Sequence, residues 1–287
     1  MDYRVSHVFL AVLLGGLLFI GGCNGILQKE PQDTLTPVPE TPTPESNTIP
    51  GVAGDQLAEP FALADAHREW LRNRSYTSIE RIYIRKKGEV THQRTTKIRW
   101  AGGEEERYLS TELLTPHPMC EGTNRSIRID RYAADDRLYI NESRCGRTNT
   151  RLVRGPDGDP VDPRDYLPIG PTRHEFLLST LGQLDESQLT ISNTSSESFR
   201  LSAPVEDYSA EPYPIEVDGT TTNASVSFLI TEDGFISEYQ IRYEFKTNQT
   251  QYSVTRHGSF TMIGETSIAP PGWLPESRDT SRHATLS

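Results

Sequence analysis

Apolar and polar residues alternate along the C-terminal part of the chain, from residue 224 to residue 262. A period of two is typical of β-strands that bury one face. Asp233-Gly234 interrupts the alternation and predicts a tight turn between neighbouring strands. We therefore expect an antiparallel meander whose buried face carries Ala224, Val226, Phe228, Ile230, Phe235, Tyr239, Ile241, Tyr243, Phe245, Tyr252, Val254, Phe260 and Met262.

Two segments have helical spacing instead. Residues 61–74 carry apolar side chains at helical intervals, among them Trp70. A second helix is predicted to begin at Thr172, whose side chain forms a capping box with Glu175, and to end at Gly182. The remaining strands are predicted at residues 75–84, 90–100, 107–114, 126–132, 137–141, 188–192 and 198–203.

The N-terminus resembles a lipoprotein signal peptide. Residues 8–20 are 13 consecutive apolar or glycine positions, which is too short for a membrane span of about 20 residues but fits a signal-peptide core of about 7–15. Small residues follow directly before Cys23, in the order of a lipobox. We predict that Cys23 becomes the lipidated N-terminus, the alternative being an ordinary secretory signal with an incidental cysteine.

A Thr/Pro-rich segment separates this signal from the folded part of the chain. Its alternating threonines and prolines cannot form a packed core and favour extended, polyproline-like conformations. The predicted organisation is therefore a signal peptide (1–22), a disordered tether that begins at the lipidated cysteine (23–60), one globular domain (61–275) and a disordered tail (276–287). We expect Trp273 to dock onto the domain and close it.

The cysteines and the asparagines both indicate an exported domain. Cys120 and Cys145 remain as an even pair after Cys23 is assigned, which predicts a disulfide in an oxidising compartment. A two-cysteine metal site is disfavoured because no His or Cys lies nearby at ligand spacing. Six asparagines begin glycosylation sequons, which act as acceptors only on exported surfaces: Asn73, Asn124, Asn141, Asn193, Asn223 and Asn248.

Composition narrows the class of protein further. The chain of 287 residues has 40 acidic and 29 basic residues, for a net charge of −11, which argues against nucleic-acid binding. A mean hydropathy of −0.56 excludes a polytopic membrane protein. Of the 29 basic residues, 24 are Arg and 5 are Lys. A surface rich in acid and poor in lysine is typical of proteins from halophilic organisms.

Three short segments carry a resemblance to known proteins. The sequence LRNRSYT at residues 71–77, SFTM at 259–262 and PGWL at 271–274, together with the lipobox and the tether, resemble surface lipoproteins of haloarchaea. The order of helix and long strands is more distantly similar to the lipoprotein-carrier superfamily, which includes glycolipid-binding mycobacterial lipoproteins. The resemblance covers residues 61–275. It implies an α+β, mostly antiparallel β fold, a single curled sheet or half-barrel with two covering helices, whose concave face holds acyl chains.

No motif in the sequence predicts catalysis. His174-Glu175 lacks the second histidine of a zinc helix, because position 178 is Leu. The loop predicted at residues 151–170 contains four aspartates, but its prolines break the spacing of a calcium loop. Gly258-Ser259 lacks the second glycine of a nucleophile elbow. We therefore expect a protein that is not an enzyme and that uses no metal and no cofactor.

The aromatic face of the C-terminal meander leaves two hypotheses open. The face could pack against the two helices as a solid core, or it could line an apolar cavity for a lipid. The first describes a structural or protein-interaction lipoprotein, and the second a hydrophobe-binding lipoprotein; both are anchored in the cell membrane on its extracellular face. Protein partners are not predicted. The residues expected to line such a cavity are Trp70, Leu177, Phe228, Ile230, Tyr239, Ile241, Tyr243 and Phe260.

Overall fold

The computed structural model of the protein describes residues 49–102, 107–116, 120, 126–184, 188–195, 197–205, 208 and 219–274. The predicted signal peptide, Cys23, the tether up to residue 48, Asn124 and the tail at 276–287 lie outside the described residues. Within them, two short strands, β1 (Val52–Ala53) and β2 (Gln56–Leu57), form a small antiparallel hairpin before the first helix. This hairpin precedes residue 61, at which the sequence placed the start of the globular domain.

Eleven further strands and two α-helices are present in the rest of the described residues. The helices are α1 (Pro60–Leu71) and α2 (His174–Leu181), and a 3₁₀ helix spans Pro163–Tyr166. The strands are β3 (Tyr76–Lys86), β4 (Glu89–Ala101), β5 (Arg107–Thr115), β6 (Ile127–Ala134), β7 (Arg137–Arg144), β8 (Arg147–Leu152), β9 (Thr190–Ser195), β10 (Ser198–Val205), β11 (Thr220–Thr231), β12 (Ile236–Lys246) and β13 (Gln251–Thr261).

These strands form one antiparallel sheet in the order β8-β7-β6-β5-β4-β3-β13-β12-β11-β10-β9. The sheet consists of two meanders, one running from β3 to β8 and the other from β9 to β13, which meet where β3 pairs with β13. The sheet is open and curled. The prediction of a mostly antiparallel protein with a single curled sheet and two helices is therefore confirmed.

The strand order explains why α2 lies across a face of the sheet. β8 and β9 are consecutive in sequence but form opposite edges of the sheet, so the chain between them must cross a face. It crosses with the loop at residues 153–173 and then with α2, whose Leu177 and Leu181 are buried. We call the covered side the inner face. On β3 it carries the alternate residues from Tyr76 to Ile84.

The inner face has two differently covered halves. In the helical half, formed by β3 and β9–β13, apolar side chains pack against Leu63 and Ala64 of α1 and Leu177 and Leu181 of α2. In the loop half, formed by β4–β8, the cover is mainly the loop at residues 153–170, whose Val153, Val161 and Leu167 contact the sheet.

A C-terminal strap crosses the opposite, outer face of the sheet. Ile268, Trp273 and Leu274 pack against Leu109 and Tyr132, and the hydroxyls of Thr77 and Thr266 are 3.1 Å apart. Trp273 therefore docks onto the domain, as the sequence predicted.

The start of α2 differs from the prediction. Arg173 is the N-cap residue, in a left-handed conformation with φ of 55°, and no side chain caps the helix. The predicted capping box of Thr172 and Glu175 is therefore wrong. The carbonyl of Thr172 instead accepts a hydrogen bond from His67, and the Arg173 side chain turns into the interior, where it binds Glu80.

Two local differences affect the edge of the sheet. β7 continues to Arg144, beyond the predicted end at residue 141, and β8 was not predicted at all. Every residue of β8 is exposed, so the strand has no buried face and no alternating pattern that the sequence could reveal.

Candidate functional site

A pocket lies between the loop half of the inner face and the loop at residues 153–170. Prolines at 156, 160 and 163 keep this loop out of helix and sheet, because proline lacks the backbone donor and has a fixed φ. A 3₁₀ turn forms where Asp162 accepts a hydrogen bond from the backbone nitrogen of Arg164, at 2.8 Å. The loop therefore crosses the inner face with this short 3₁₀ turn as its regular secondary structure.

The sheet holds this loop at two points. The backbone nitrogen of Val153 donates to the carbonyl oxygen of Leu138 at 2.8 Å. The Tyr108 hydroxyl donates to the carbonyl oxygen of Pro163 at 2.5 Å. Burial raises the pKa of Tyr108 well above its ordinary value, so this phenol stays protonated and keeps its donor.

The floor of the pocket is apolar. Trp100, Tyr108 and Ala133 lie side by side on β4, β5 and β6, and the rings of Trp100 and Tyr108 are parallel with centroids 6.3 Å apart. Pro160 and Val161 of the loop form part of the opposite wall, and the pocket has a volume of about 520 Å³. Cavities of roughly 300–1,000 Å³ with apolar linings are typical of small-molecule sites.

Charged groups lie at the rim. Asp136, Asp162 and Arg164 line the pocket together with the apolar floor, and all three are exposed. This loop also carries the four aspartates whose calcium-loop spacing is broken by prolines. Within the described ranges of the chain, no group of three or more His, Cys, Asp or Glu side chains is placed to hold a metal ion.

Beside the pocket, an ionic network is buried in the middle of the inner face. Glu80 Oε2 accepts hydrogen bonds from Arg173 Nη1 at 3.0 Å, Tyr239 Oη at 2.5 Å and Arg256 Nε at 2.6 Å. Burial alone would raise the pKa of Glu80, but the charges of Arg173 and Arg256, with the hydrogen bond from Tyr239, lower it to about 2. The carboxylate is therefore ionised.

Gly258 makes this network possible. It lies between Glu80 and Tyr239 in the register of β3, β13 and β12. A Cβ atom there would come within 2.1 Å of Tyr239 Cζ, so the tyrosine ring reaches Glu80 by crossing directly over the glycine. Interior strand glycines often mark such close approaches.

A second ionic triad lies on the neighbouring strands. Glu112 binds Arg94 through Oε1, at 2.9 Å from Nε, and Arg131 through Oε2, at 3.3 Å from Nη2. Thr96 lies opposite Glu80 on one side and opposite Glu112 on the other. Two arginine–glutamate–arginine triads thus flank one threonine, and we call this strip the polar centre.

His67 of α1 is fully buried and holds three elements together. Its Nδ1 accepts from the backbone nitrogen of Ile236 at 3.1 Å, so the proton is on Nε2, which donates to the carbonyl of Thr172 at 3.0 Å. The ring stacks on Phe235 with centroids 5.5 Å apart. Burial lowers the pKa of His67 to about 3, and the imidazole is neutral.

The residues predicted to line a cavity belong to the packed parts of the inner face. Phe228, Ile230, Tyr239, Ile241, Tyr243, Phe260 and Leu177 are at most 5% exposed, and Trp70 stacks on Phe235 with ring centroids 3.9 Å apart. Trp70 and Leu177 belong to α1 and α2, and the sheet residues of the set lie on the side that these helices cover. The pocket is lined instead by Trp100, Tyr108 and Ala133. The sequence shows the aromatic pair on adjacent predicted strands, but gives no sign of which segment covers it.

The remaining predicted sites are on the surface or in the disulfide. Cys120 and Cys145 form the predicted disulfide. Of the sequon asparagines, Asn141 is half-buried and accepts from the Thr150 hydroxyl at 2.8 Å, while Asn73, Asn193, Asn223 and Asn248 are exposed. Neither helix of the described chain is long and apolar enough to span a membrane.

No protein-family model and no curated protein matches the chain. Among solved structures, LprF from Mycobacterium bovis aligns with a TM-score of 0.37 and 9% identity, over 76% of this chain and 99% of that chain. A LolA superfamily protein from Nitrosomonas europaea gives a TM-score of 0.23 and 7% identity, over 76% of this chain and 96% of that chain. An outer membrane lipoprotein-sorting protein domain from Vibrio parahaemolyticus gives 0.20 and 11%, over 74% and 94%.

All three TM-scores are below 0.5 and all three identities are at most 11%.

Proposed function

We propose that this protein is a lipid-anchored lipoprotein of the extracellular membrane surface that binds a hydrophobic ligand in the loop pocket. The observation that carries the proposal is the 520 Å³ pocket with an apolar floor of Trp100, Tyr108 and Ala133. Moving an apolar chain from water onto such a floor is favourable by roughly 25 cal/mol for each Å² buried. The loop at residues 153–170 is the cover of the site.

The anchor rests on the sequence alone. The apolar core at residues 8–20 and the small residues before Cys23 support export and lipidation. The arginine-rich, lysine-poor and acidic composition supports a haloarchaeal source, and the four exposed sequon asparagines support surface glycosylation. The proposed partners are the membrane, through the lipid, and a lipid or other hydrophobic ligand.

Binding rather than catalysis is the proposed activity. Tyr108 is the titratable group on the pocket floor, and its hydroxyl is engaged with the Pro163 carbonyl. The charged residues that line the pocket are exposed at the rim, away from the dry environment that strengthens acid–base chemistry.

Photocrosslinking in membranes tests the proposal with the full chain. A 16-carbon alcohol that carries a diazirine is added to membranes holding the lipoprotein, irradiated, and mapped by mass spectrometry. Labelled peptides that contain Tyr108 or Val161 are expected in the wild type. Ala133→Trp fills the pocket floor and should remove this label. Val90→Trp, at an exposed position of β4, is the matched control and should keep it.

An alternative function, that of a structural or interaction lipoprotein, is favoured by the close packing of the helical half. In that case the diazirine alcohol should label only segments in contact with the bilayer, and the Ala133→Trp variant should give the same peptide map as the wild type. Either result would exclude the loop pocket as a ligand site.

The anchor has its own test. Cys23→Ser should release the protein from membranes or block its processing, since the lipidated cysteine is the proposed attachment. Salt-resistant membrane association of this variant, unchanged from the wild type, would indicate a retained signal anchor instead.

A further inference from the structure

The two edges of the sheet differ in charge. β9 forms one edge and carries no charged residue. β8 forms the other edge, and all of its residues are exposed, including Arg147 and Arg151. Neither of these arginines has an ion pair among the described residues, whereas the neighbouring Arg144 is paired with Glu142. Because an exposed edge strand is a template for pairing with another chain, these two charges decide which chains this edge can accept.

The backbone of β8 has unused hydrogen-bonding groups along the edge. Cys145 and Gly146 both have a positive φ, of 49° and 85°, and form the two-residue turn of the β7–β8 hairpin. In an antiparallel ladder, alternate residues bond to the partner strand. The residue that closes the hairpin bonds to β7, as does Val153, whose nitrogen donates to Leu138. The odd-numbered residues of β8 therefore bond to β7, and the main-chain groups of the even-numbered residues point to the free edge: Thr148, Thr150 and Leu152.

Arg147 and Arg151 have a fixed spacing on this edge. The disulfide from Cys145 to Cys120 fixes the turn before them, and the main-chain bond of Val153 fixes the chain after them. The two arginines lie on the same side of β8, four residues or about 14 Å apart. A strand that pairs with β8 presents alternate side chains on that side, so two carboxylates four residues apart would each face a guanidinium.

A small pocket continues the edge beyond the end of β8. Its volume is about 200 Å³, and its lining consists of Asp136, Arg137, Leu152, Val153, Arg154 and Pro160. The two arginines of this lining outnumber its one aspartate, so a carboxylate is the charged group that the pocket favours. A chain that pairs with β8 reaches the pocket at Leu152 and can place a side chain there.

A second copy of this chain is a poor partner for the edge. If β8 paired with β8 of another copy, arginines would face arginines, and like charges directly opposite each other destabilise a strand pair. β9 of another copy has no carboxylate to offer. The same charges favour an extended chain that carries acidic side chains.

We propose that β8 is a docking edge for an extended acidic segment of another protein. The segment adds one strand to the eleven of the sheet and pairs two carboxylates with Arg147 and Arg151. Main-chain hydrogen bonds give such complexes their affinity, and side-chain contacts give them specificity. The inference is independent of the loop pocket and goes beyond the proposed function by adding a protein partner.

Synthetic peptides test the proposal on the full-length lipoprotein in detergent micelles. The acidic peptide TEVTVET has two glutamates four positions apart, and the basic peptide TKVTVKT has lysines in their place. Fluorescence anisotropy of the dye-labelled peptides measures binding. The wild type should bind the acidic peptide about tenfold more tightly, because two exposed ion pairs form where the basic peptide meets two repulsions.

Reversing the charges of the edge should reverse this preference. The deciding variant combines Arg147→Glu with Arg151→Glu and should bind the basic peptide more tightly than the acidic one. The matched control combines Lys97→Glu with Lys246→Glu, which changes the net charge by the same amount at exposed positions of β4 and β12. This control should keep the preference of the wild type.

Thr150→Pro shows whether the backbone of β8 takes part. Proline removes an amide hydrogen that points to the free edge and no hydrogen bond to β7, so the sheet should persist while peptide binding is lost. Thr150→Val is the matched control, since it also loses the hydroxyl bond to Asn141 but keeps the amide, and it should bind as the wild type does. Thermal melts show whether both variants fold; if the proline variant does not, the charge reversal decides alone.

Several results would overturn the inference. Equal affinity of the wild type for both peptides would mean that the arginines select nothing. Undiminished binding of the acidic peptide to folded Thr150→Pro would mean that the arginines attract anions without strand pairing. A wild type that binds neither peptide also overturns the inference, and if that protein sediments as a dimer while Thr150→Pro sediments as a monomer, the edge belongs to a second copy of the chain.

Discussion

The helical half of the inner face is covered by α1 and α2, whereas the loop half is covered by a proline-rich segment. A helix presents apolar side chains at every third or fourth residue, so α1 and α2 fill the space above β10–β13 with Leu63, Leu177 and Leu181. The loop at residues 153–170 offers only a few apolar side chains, among them Val161 and Leu167, and a pocket remains above Trp100 and Tyr108.

This difference teaches that the cover, and not the sheet alone, determines where a ligand can lie. Both halves carry aromatic side chains on the inner face, yet the helical half, which carries more of them, is the one that is closely packed. The polar centre lies at the boundary between them, on β3, β4 and β5, where neither helices nor loop supply partners for every buried polar atom.

The largest expected effect concerns that boundary. Glu80→Ala leaves Arg173 and Arg256 without their shared carboxylate in a buried site, and breaking such a network costs about 3–5 kcal/mol. Denaturant unfolding measures the loss. Glu142→Ala is the control, since Glu142 pairs with the exposed Arg144 and should cost about 1 kcal/mol or less. If the two variants lose similar amounts of unfolding free energy, the buried network stabilises the protein no more than a surface ion pair does.

The disulfide should stabilise the loop half by a smaller amount. Cys120 and Cys145 are 25 residues apart and join the connection between β5 and β6 to the turn between β7 and β8. Replacing both with Ser should cost about 3 kcal/mol, because the unfolded chain regains the entropy of that loop. Non-reducing peptide mapping should recover the linked peptides from wild-type protein. Two free thiols in protein isolated without reductant would contradict the linkage.

A tryptophan placed in each half compares the two covers directly. Ile241→Trp enters the filled space of the helical half, where Ile241 is fully buried, and should destabilise the protein by about 1–3 kcal/mol through overpacking. Ala133→Trp enters the pocket of the loop half and should cost less while removing the pocket label. If Ile241→Trp is neutral, the helical half contains open space after all, and the predicted cavity residues return as ligand contacts.

The most gradual of these effects is the response of the unfolding free energy to pH. His67 titrates near pH 6.5 in the unfolded chain but at about 3 in the folded one, so the unfolded state binds the proton first. Stability should be fully present above about pH 6.5 and fall on acidification by about 1.4 kcal/mol per pH unit. Glu80, whose folded pKa is about 2, adds its own loss only below about pH 4.5.

Unfolding free energies between pH 4.5 and 6.5 separate these two groups. The slope in this window should disappear in His67→Gln and persist in His257→Gln, whose residue belongs to the outer face of β13. A slope that survives in His67→Gln would mean that the acid response arises elsewhere than between α1 and β12.

Local sequence patterns predicted most of the strands, and the reason is physical. A strand that buries one face must alternate, so the buried residues of β11 and β12 could be recognised from the sequence, and Asp233-Gly234 could be recognised as the turn between these two strands. Met262 was wrongly predicted to continue the buried face, since it follows the end of β13 and is 56% exposed. β8 could not be recognised, because an edge strand with both faces in water imposes no pattern. The capping box at Thr172 failed because Arg173 forms tertiary contacts that outweigh a local cap.

The sequence by itself determined the class of structure: its periodicities specify an antiparallel sheet with two helices, its cysteine parity specifies the Cys120–Cys145 bond, and its aromatic residues specify which faces are buried. These follow from local geometry and composition. Only the tertiary structure decided that β8 and β9 lie at opposite edges, so that the loop at residues 153–170 crosses Trp100 and Tyr108 and leaves a pocket there. Glu80, Thr96 and Arg173 meet for the same reason, since contacts between distant segments depend on strand order, which no local pattern encodes.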